Sequence, residues 1–176
     1  MNELERLRND ITKSQKKGLP FILTSIIIWS LILISTRLGL SEIQKDYLVF
    51  CCSCPMMPLA VMIGKLLKVN VFDKSNPLGK LGFLFTLNQM LYLLIVMWIM
   101  SFAPNKMIIS YAMVYGGHLL PYSWLYKSKA YAIFSIAITV GALITGLKFG
   151  ESILAFIMVM TEIILSACLF IELRKV

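Results

Sequence analysis

The sequence predicts an all-α integral membrane protein, a bundle of six transmembrane helices with both termini in the cytoplasm and a short amphipathic N-terminal helix. Three observations predict this fold class. Hydrophobic residues make up 59% of the 176 residues and charged residues only 15%, with a mean hydropathy of +0.81, whereas soluble domains are about 45–50% apolar and about 25% charged. Six apolar stretches are each close to the ~20 residues that cross a bilayer. Finally, lysines and arginines are concentrated in every second connection between these stretches, as expected for loops on one side of a membrane.

The N-terminal segment, residues 1–18, is predicted to be cytoplasmic and amphipathic. Leu4, Leu7 and Ile11 fall on one helical face, with charged residues elsewhere, so we predict a helix on the inner membrane surface. The alternative is a solvated basic tail. About seventeen mixed-charge residues precede the first apolar run, which is unlike a cleavable signal peptide.

The transmembrane bundle is predicted over residues 19–173. Its spans are expected at about 19–38, 47–67, 81–102, 106–126, 130–147 and 152–173. Pro20 suits the first turn of the first span, where its missing N–H has no partner in any case. The fourth and fifth spans are the most polar, because they are richer in Gly, Ser, Thr and Tyr.

Basic residues set the predicted orientation. Of the 17 lysines and arginines, thirteen fall on the side of the two termini and four on the other side. The four are Arg37, Lys45, Lys106 and Lys148. Since cytoplasmic connections are enriched in Lys and Arg, both termini are expected on the cytoplasmic side of the membrane.

The net charge of +8 fits lysines that flank spans and face anionic lipid. No arginine-rich stripe interleaved with aromatics is present, so nucleic acid is not an expected partner. The expected partners are the bilayer, a small-molecule or ion substrate, and further copies of the chain.

Glu162 is the most informative single residue, because it lies at the centre of the sixth span without a basic residue within one turn. A mid-bilayer carboxylate costs about 2.5–3.5 kcal/mol. Protonation or hydrogen bonds lower that cost, so Glu162 is expected to face the bundle interior, with Ser166 one turn away. Two interpretations stay open: proton, cation or substrate contact, or a protonated interhelical hydrogen bond.

A second polar group is predicted on the fourth span. Tyr111, Tyr115, the single histidine His118 and Tyr122 are spaced by four, three and four residues and so share one face. Pro121 would kink this helix. A kinked helix with His and Tyr on one face is typical of a cavity wall, and the alternative is a neutral histidine bonded to a neighbouring helix.

Polar residues of the third span complete the predicted midplane site. Asn88, Gln89 and Tyr92 fall at a depth near that of His118 and Glu162, within about two helical turns of the midplane. Three helices would thus bring polar groups to one level. For Asn88 and Gln89 alone, interhelical hydrogen bonding is the alternative.

Metal and catalytic motifs are weak or missing. Cys51, Cys52 and Cys54 precede Pro55 in the second span, and thiolates select soft metals such as Cu(I), yet thiols also serve as small apolar helix residues. These cysteines are therefore weak metal candidates. The sequence contains no P-loop, HExxH, GxSxG or dinucleotide fingerprint, so no cofactor is expected. The absence of these motifs disfavours an enzyme, and a membrane-embedded enzyme stays open as a third alternative.

Several segments resemble a known family. They are 76–82 (Asn-Pro-Leu-Gly-Lys-Leu-Gly), Asn88-Gln89, 117–122 (Gly-His-Leu-Leu-Pro-Tyr), 124–129 and 15–21. In these the chain resembles a group of small bacterial six-helix membrane proteins known only as a domain of unknown function. The resemblance covers nearly the whole chain and implies the fold and the bacterial plasma membrane, but no activity, substrate or site residue.

Two functions follow as hypotheses. In the first, the chain is a small transporter or channel-like protein, with a polar midplane site of Glu162, His118, Asn88, Gln89 and Tyr115. In the second, it is a structural or regulatory membrane subunit whose buried polar residues hold helices together.

Overall fold

The computed structural model describes residues 2–175, which form helices and turns and contain no strand. The helices are α1 (Glu3–Ser14), α2 (Leu19–Ser35), α3 (Glu42–Ser53), α4 (Met56–Leu66), α5 (Leu78–Phe102), α6 (Met107–His118), α7 (Leu120–Leu125), α8 (Lys129–Phe149) and α9 (Glu151–Leu173). Two 3₁₀ turns, Lys16–Gly18 and Pro104–Lys106, precede α2 and α6. The all-α class is confirmed for this part of the chain.

Five helical stretches within residues 2–175 are long and apolar enough to cross a membrane: Lys16–Ser35, Glu42–Leu66, Leu78–Phe102, Lys129–Phe149 and Glu151–Leu173. They match five of the six expected spans. The remaining one, at about 106–126, is divided at Leu119 into α6 and α7. The division follows from Pro121, which has no N–H to continue the helix and whose ring crowds the preceding turn. Neither piece alone reaches the length of a span.

Local capping explains where the second stretch begins. Ser41 and Gln44 form a capping box at the start of α3, so the helix starts at Glu42, about five residues before the expected position 47. The stretch bends between Ser53 and Met56, where Pro55 is the N-cap of α4. Gly150, with a φ of +81°, makes the left-handed turn between α8 and α9 that favours glycine.

The core lies between α2, α6, α8 and α9. Small residues permit the close approach of these helices. A methyl group added at Gly116 of α6 would lie 2.7 Å from the Ile138 side chain of α8, and one at Gly146 of α8 would lie 2.5 Å from Ile109 of α6. By contrast, α5 lies at the periphery, and only Val96 of its 25 residues is fully buried.

The N-terminal helix α1 packs on the end of the bundle that carries the chain termini, and is not a solvated tail. Ile11 is buried there, whereas Leu4 is exposed. The Arg8 guanidinium stacks on the Trp124 ring and donates to its carbonyl. Lys127 donates to Glu5 at 2.6 Å, and that contact holds the pKa of the Glu5 carboxyl below its usual range.

Candidate functional site

Glu162 is the centre of the site, and its side chain is completely buried. Its Oε2 accepts hydrogen bonds from the Ser25 hydroxyl of α2, at 2.5 Å, and from the Tyr115 hydroxyl of α6, at 2.7 Å. Three helices therefore meet at one carboxyl oxygen. The structure thus places Glu162 in the bundle interior beside Tyr115, and both belong to the predicted midplane site.

The position of Glu162 follows from the periodicity of α9. Leu154, Met158, Leu165 and Leu169 are all buried, and Glu162 falls on the same stripe at spacings of three and four residues. Such spacing places residues on one helical face. The stripe packs against α2 and α8, so the fold buries the carboxyl whether or not it is charged.

One half of the carboxyl has no partner. Within residues 2–175, neither Glu162 Oε1 nor the hydroxyl of Ser166 makes a hydrogen bond, and both atoms are buried. Ser166 is 8% exposed and lies one turn from Glu162. A buried polar atom without a partner costs about 1–3 kcal/mol. The structure therefore brings together Glu162, Tyr115 and Ser166 but leaves hydrogen-bonding capacity unused beside them.

A row of rings continues from this carboxyl along α6 and α7. The His118 ring lies 5.6 Å from those of Tyr115 and Tyr122, and its Nδ1 is 2.8 Å from the Tyr115 carbonyl oxygen. The predicted stripe is thus continuous from Tyr115 to Tyr122. At its other end, the Tyr111 hydroxyl is 2.8 Å from that of Ser53 in α3.

The polar residues of α5 do not join this group. Asn88 is exposed, Gln89 is half-buried and Tyr92 is 43% exposed. Within residues 2–175, neither amide side chain makes a hydrogen bond to Glu162 or His118. The predicted equal depth in the membrane does not bring Asn88 and Gln89 to Glu162. Helix α5 contacts the bundle through Phe85 and Thr86 instead, and both of these side chains contact Tyr122.

The cysteines remain apart from the site. Cys51 and Cys54 are exposed, Cys52 is partly buried, and all three are free thiols. Among residues 2–175, no group of three or more His, Cys, Asp or Glu side chains could hold a metal ion. The weak metal hypothesis for this segment therefore has no cluster to support it.

Sequence reasoning missed two carboxylates at the end of the bundle remote from the chain termini. Asp46 of α3 is 1% exposed, and its two carboxyl oxygens have no partner in the described chain, nor does Glu151 Oε1. The Glu151 carboxyl interacts electrostatically with the carboxyl groups of Asp46 and Glu42, and the nearby cations are Lys45 and Lys106. The spacing along α9 could have indicated that Glu151 is partly buried, because Glu151 lies on the same helical stripe as Glu162.

The second feature that sequence reasoning missed is a largely buried ion pair at the end of the bundle that carries the chain termini. Lys17, 2% exposed, donates to Glu172 Oε2 at 3.0 Å and to the Tyr126 carbonyl at 3.1 Å. Glu172 also accepts from the Ser128 hydroxyl and the Ala130 N–H. This group, defined by Lys17 and Glu172, is named the terminal ion pair. Lys17 is one of the thirteen basic residues that predict the orientation, and that count indicates no partner for it.

Comparison with known proteins gives a family but no activity. No curated protein and no protein of solved structure is detectably similar to this chain. Residues 4–172 match a family described as a family of unknown function, DUF7010. Since the match extends over nearly the whole chain, including α1 and every helix of the bundle, the chain belongs to this family of unknown function, DUF7010.

Proposed function

We propose that this chain is a small transporter or channel-like protein of the bacterial plasma membrane, in which Glu162 binds and releases a proton or another small cation. The observation that carries the proposal is the half-used carboxyl. Oε2 has two hydroxyl donors, whereas Oε1 and the neighbouring Ser166 hydroxyl have no partner in residues 2–175. A carboxyl that served only to join helices would use both oxygens, because an unpaired buried oxygen is costly.

The spacing of carboxylates on α9 supports the same function. Glu151, Glu162 and Glu172 lie 11 and 10 residues apart, which is about 15 Å for each step along a helix. The three groups are thus spread from one end of the membrane-spanning helix to the other. Ionisable residues inside membranes often mark proton or ion pathways. Tyr115 donates to the central carboxyl, and the His118 ring lies 5.6 Å from the ring of Tyr115.

The proposal includes a six-span topology with both termini in the cytoplasm. The pair α6–α7 would form the fourth span, interrupted at Leu119. Interrupted helices are tolerated inside a membrane where they are buried in protein or line a cavity. The excess of basic residues at the terminal end supports the orientation.

A structural or regulatory membrane subunit is the second candidate, and a specific observation favours it. The Glu162 carboxyl is fully buried and joins α2, α6 and α9 through Ser25 and Tyr115. Hydrogen bonds of this kind stabilise membrane helix association by roughly 0.6–2 kcal/mol.

The test is ion flux into proteoliposomes that contain the purified full chain. An imposed gradient of the tested cation drives uptake, and an internal pH dye, then sodium- and potassium-sensitive dyes, report it. We expect flux of one of these cations in the parent protein and a loss of at least tenfold in Glu162→Gln, which keeps the shape but cannot ionise. His118→Ala is expected to lower the flux by a smaller factor.

Glu3→Gln provides the matched control, because Glu3 is exposed on α1 and loses the same charge. It should leave flux within twofold of the parent. The transporter proposal fails if the parent carries none of the three cations, or if Glu162→Gln carries them at the parental rate. In either case, a lower melting temperature of Glu162→Leu in detergent would favour the structural subunit.

A further inference from the structure

We propose that the cavity between the end of α1, α2, α4 and α9 binds the headgroup of an anionic phospholipid. The cavity has a volume of about 390 Å³ and opens at the end of the bundle that carries the chain termini. The inference shares the membrane placement of the proposed function but does not use Glu162.

Charge is the first argument. Three of the residues that line the cavity are basic, Lys13, Lys16 and Arg174, and the lining has no acidic residue. Lys13 and Arg174 are exposed and have no carboxylate within salt-bridge distance in residues 2–175. The nearest carboxylate along α9, Glu172, is already bound to Lys17. No carboxylate of residues 2–175 therefore neutralises the positive charge of Lys13 and Arg174 in the cavity.

Side-chain placement is the second argument. The Lys16 ammonium group is held at 2.8 Å from the Leu67 carbonyl, and the Arg174 guanidinium lies 4.8 Å above the Phe170 ring. Both contacts fix a long cationic side chain beside the cavity. Arg and Lys held in this way are the groups that bind phosphate oxygens in proteins.

The apolar wall is the third argument, and it selects a lipid over a free phosphate ion. The other four lining residues are Leu19, Leu67, Phe170 and Leu173. They lie at the ends of α2, α4 and α9, where the spans meet the headgroup layer. An inorganic anion gains nothing from such a wall, whereas acyl chains do. Basic pockets between membrane helices suit anionic headgroups with this arrangement.

The experiment measures lipid binding by the full-length protein in a neutral detergent. Fluorescent phosphatidylglycerol, phosphatidylcholine, glycerophosphoglycerol without acyl chains, and inorganic phosphate are titrated separately. We expect saturable binding of phosphatidylglycerol only. The double variant Lys13→Gln/Arg174→Gln should bind it about 30-fold more weakly, because each basic residue contributes about fivefold. Both positions are exposed, so the variant should fold.

The control is Lys74→Gln/Lys129→Gln, which removes two positive charges from exposed residues outside the cavity. It should keep the parental affinity within twofold. Equal weakening in both variants would mean diffuse attraction to a basic surface and would overturn the site. Equal binding of phosphatidylcholine would overturn the role of charge. Equal binding of inorganic phosphate or of glycerophosphoglycerol would overturn the lipid as ligand.

Discussion

Helices α5 and α9 are nearly equal in length and apolarity, yet they occupy opposite environments. Both were expected to span the membrane with polar residues at the centre. Glu162 of α9 is completely buried, whereas Asn88 of α5 is exposed. The difference lies in the small residues beside them. The buried stripe of α9 includes Ala155 and Ser166, whereas residues 83–98 of α5 contain no Gly, Ala or Ser.

Small residues let helix backbones approach in a membrane, where apolar side chains gain little by leaving lipid for protein. The helices that pack against α9 and each other follow the same rule. Gly116 and Ala112 are buried in α6, and Gly146 and Ala142 are buried in α8. Apolar length therefore identifies a span, while the placement of small residues identifies its packed face.

The largest effect is expected where the α9 stripe ends, at the terminal ion pair. Lys17→Met would leave the Glu172 carboxylate without its cation and the Tyr126 carbonyl without its donor. Removing one partner of a fully buried pair costs about 3–5 kcal/mol. Glu172 retains 25% side-chain exposure, so we expect a loss of about 2 kcal/mol in the free energy of unfolding.

Thermal unfolding in detergent measures this loss, and a fall of about 5 °C in Tm is expected for a chain of this size. Lys129→Met is the control, because Lys129 is exposed at the start of α8 and the substitution removes the same charge. A Tm for Lys17→Met equal to that of Lys129→Met would mean that the terminal ion pair contributes no stability.

A smaller effect is expected from the close contact between α6 and α8. The methyl group of Gly116→Ala would lie 2.8 Å from the backbone nitrogen of Thr139, so the helices would have to separate. Overpacking costs about 1–3 kcal/mol, and the helix preference of alanine returns up to 1 kcal/mol.

Gly141→Ala sharpens this measurement, because a methyl group at Gly141 would meet no atom within 4 Å. Its Tm should rise slightly while that of Gly116→Ala falls. If both variants raise Tm, glycine acts only through helix propensity, and the proposed role of small residues is wrong.

Much of the fold could be predicted from the sequence, because hydrophobic length is a local property. Five expected spans coincide with long apolar helices to within a few residues at most ends. The fourth expected span is divided at Leu119. Pro121 predicts a kink there, but not that the helix is divided in two. The depth of Glu162 was also predictable, since a mid-span carboxylate must turn inward.

The partners of Glu162 could be predicted only in part. Tyr115 was expected near it, but Ser25 was not singled out, because a serine in an apolar helix has many possible roles. Asn88 and Gln89 were assigned by depth alone, and depth does not say which helices are neighbours. The terminal ion pair joins residues 155 positions apart, and no local pattern indicates such a contact.

The smallest effect is expected on α5. Because Asn88 is exposed and makes no hydrogen bond within residues 2–175, Asn88→Leu removes a polar group from a surface that would face lipid in the proposed membrane topology. We expect a Tm within about 1 °C of the parent, or slightly above it, whereas Glu162→Leu should lower Tm because Tyr115 loses its acceptor. The pair of variants compares the exposed and buried polar residues of two similar helices in one assay. An amide side chain that faces only lipid lowers the stability of the protein, so its replacement by leucine should not lower Tm. Equal destabilisation by both variants would therefore mean that Asn88 contacts a partner, such as a second copy of this chain.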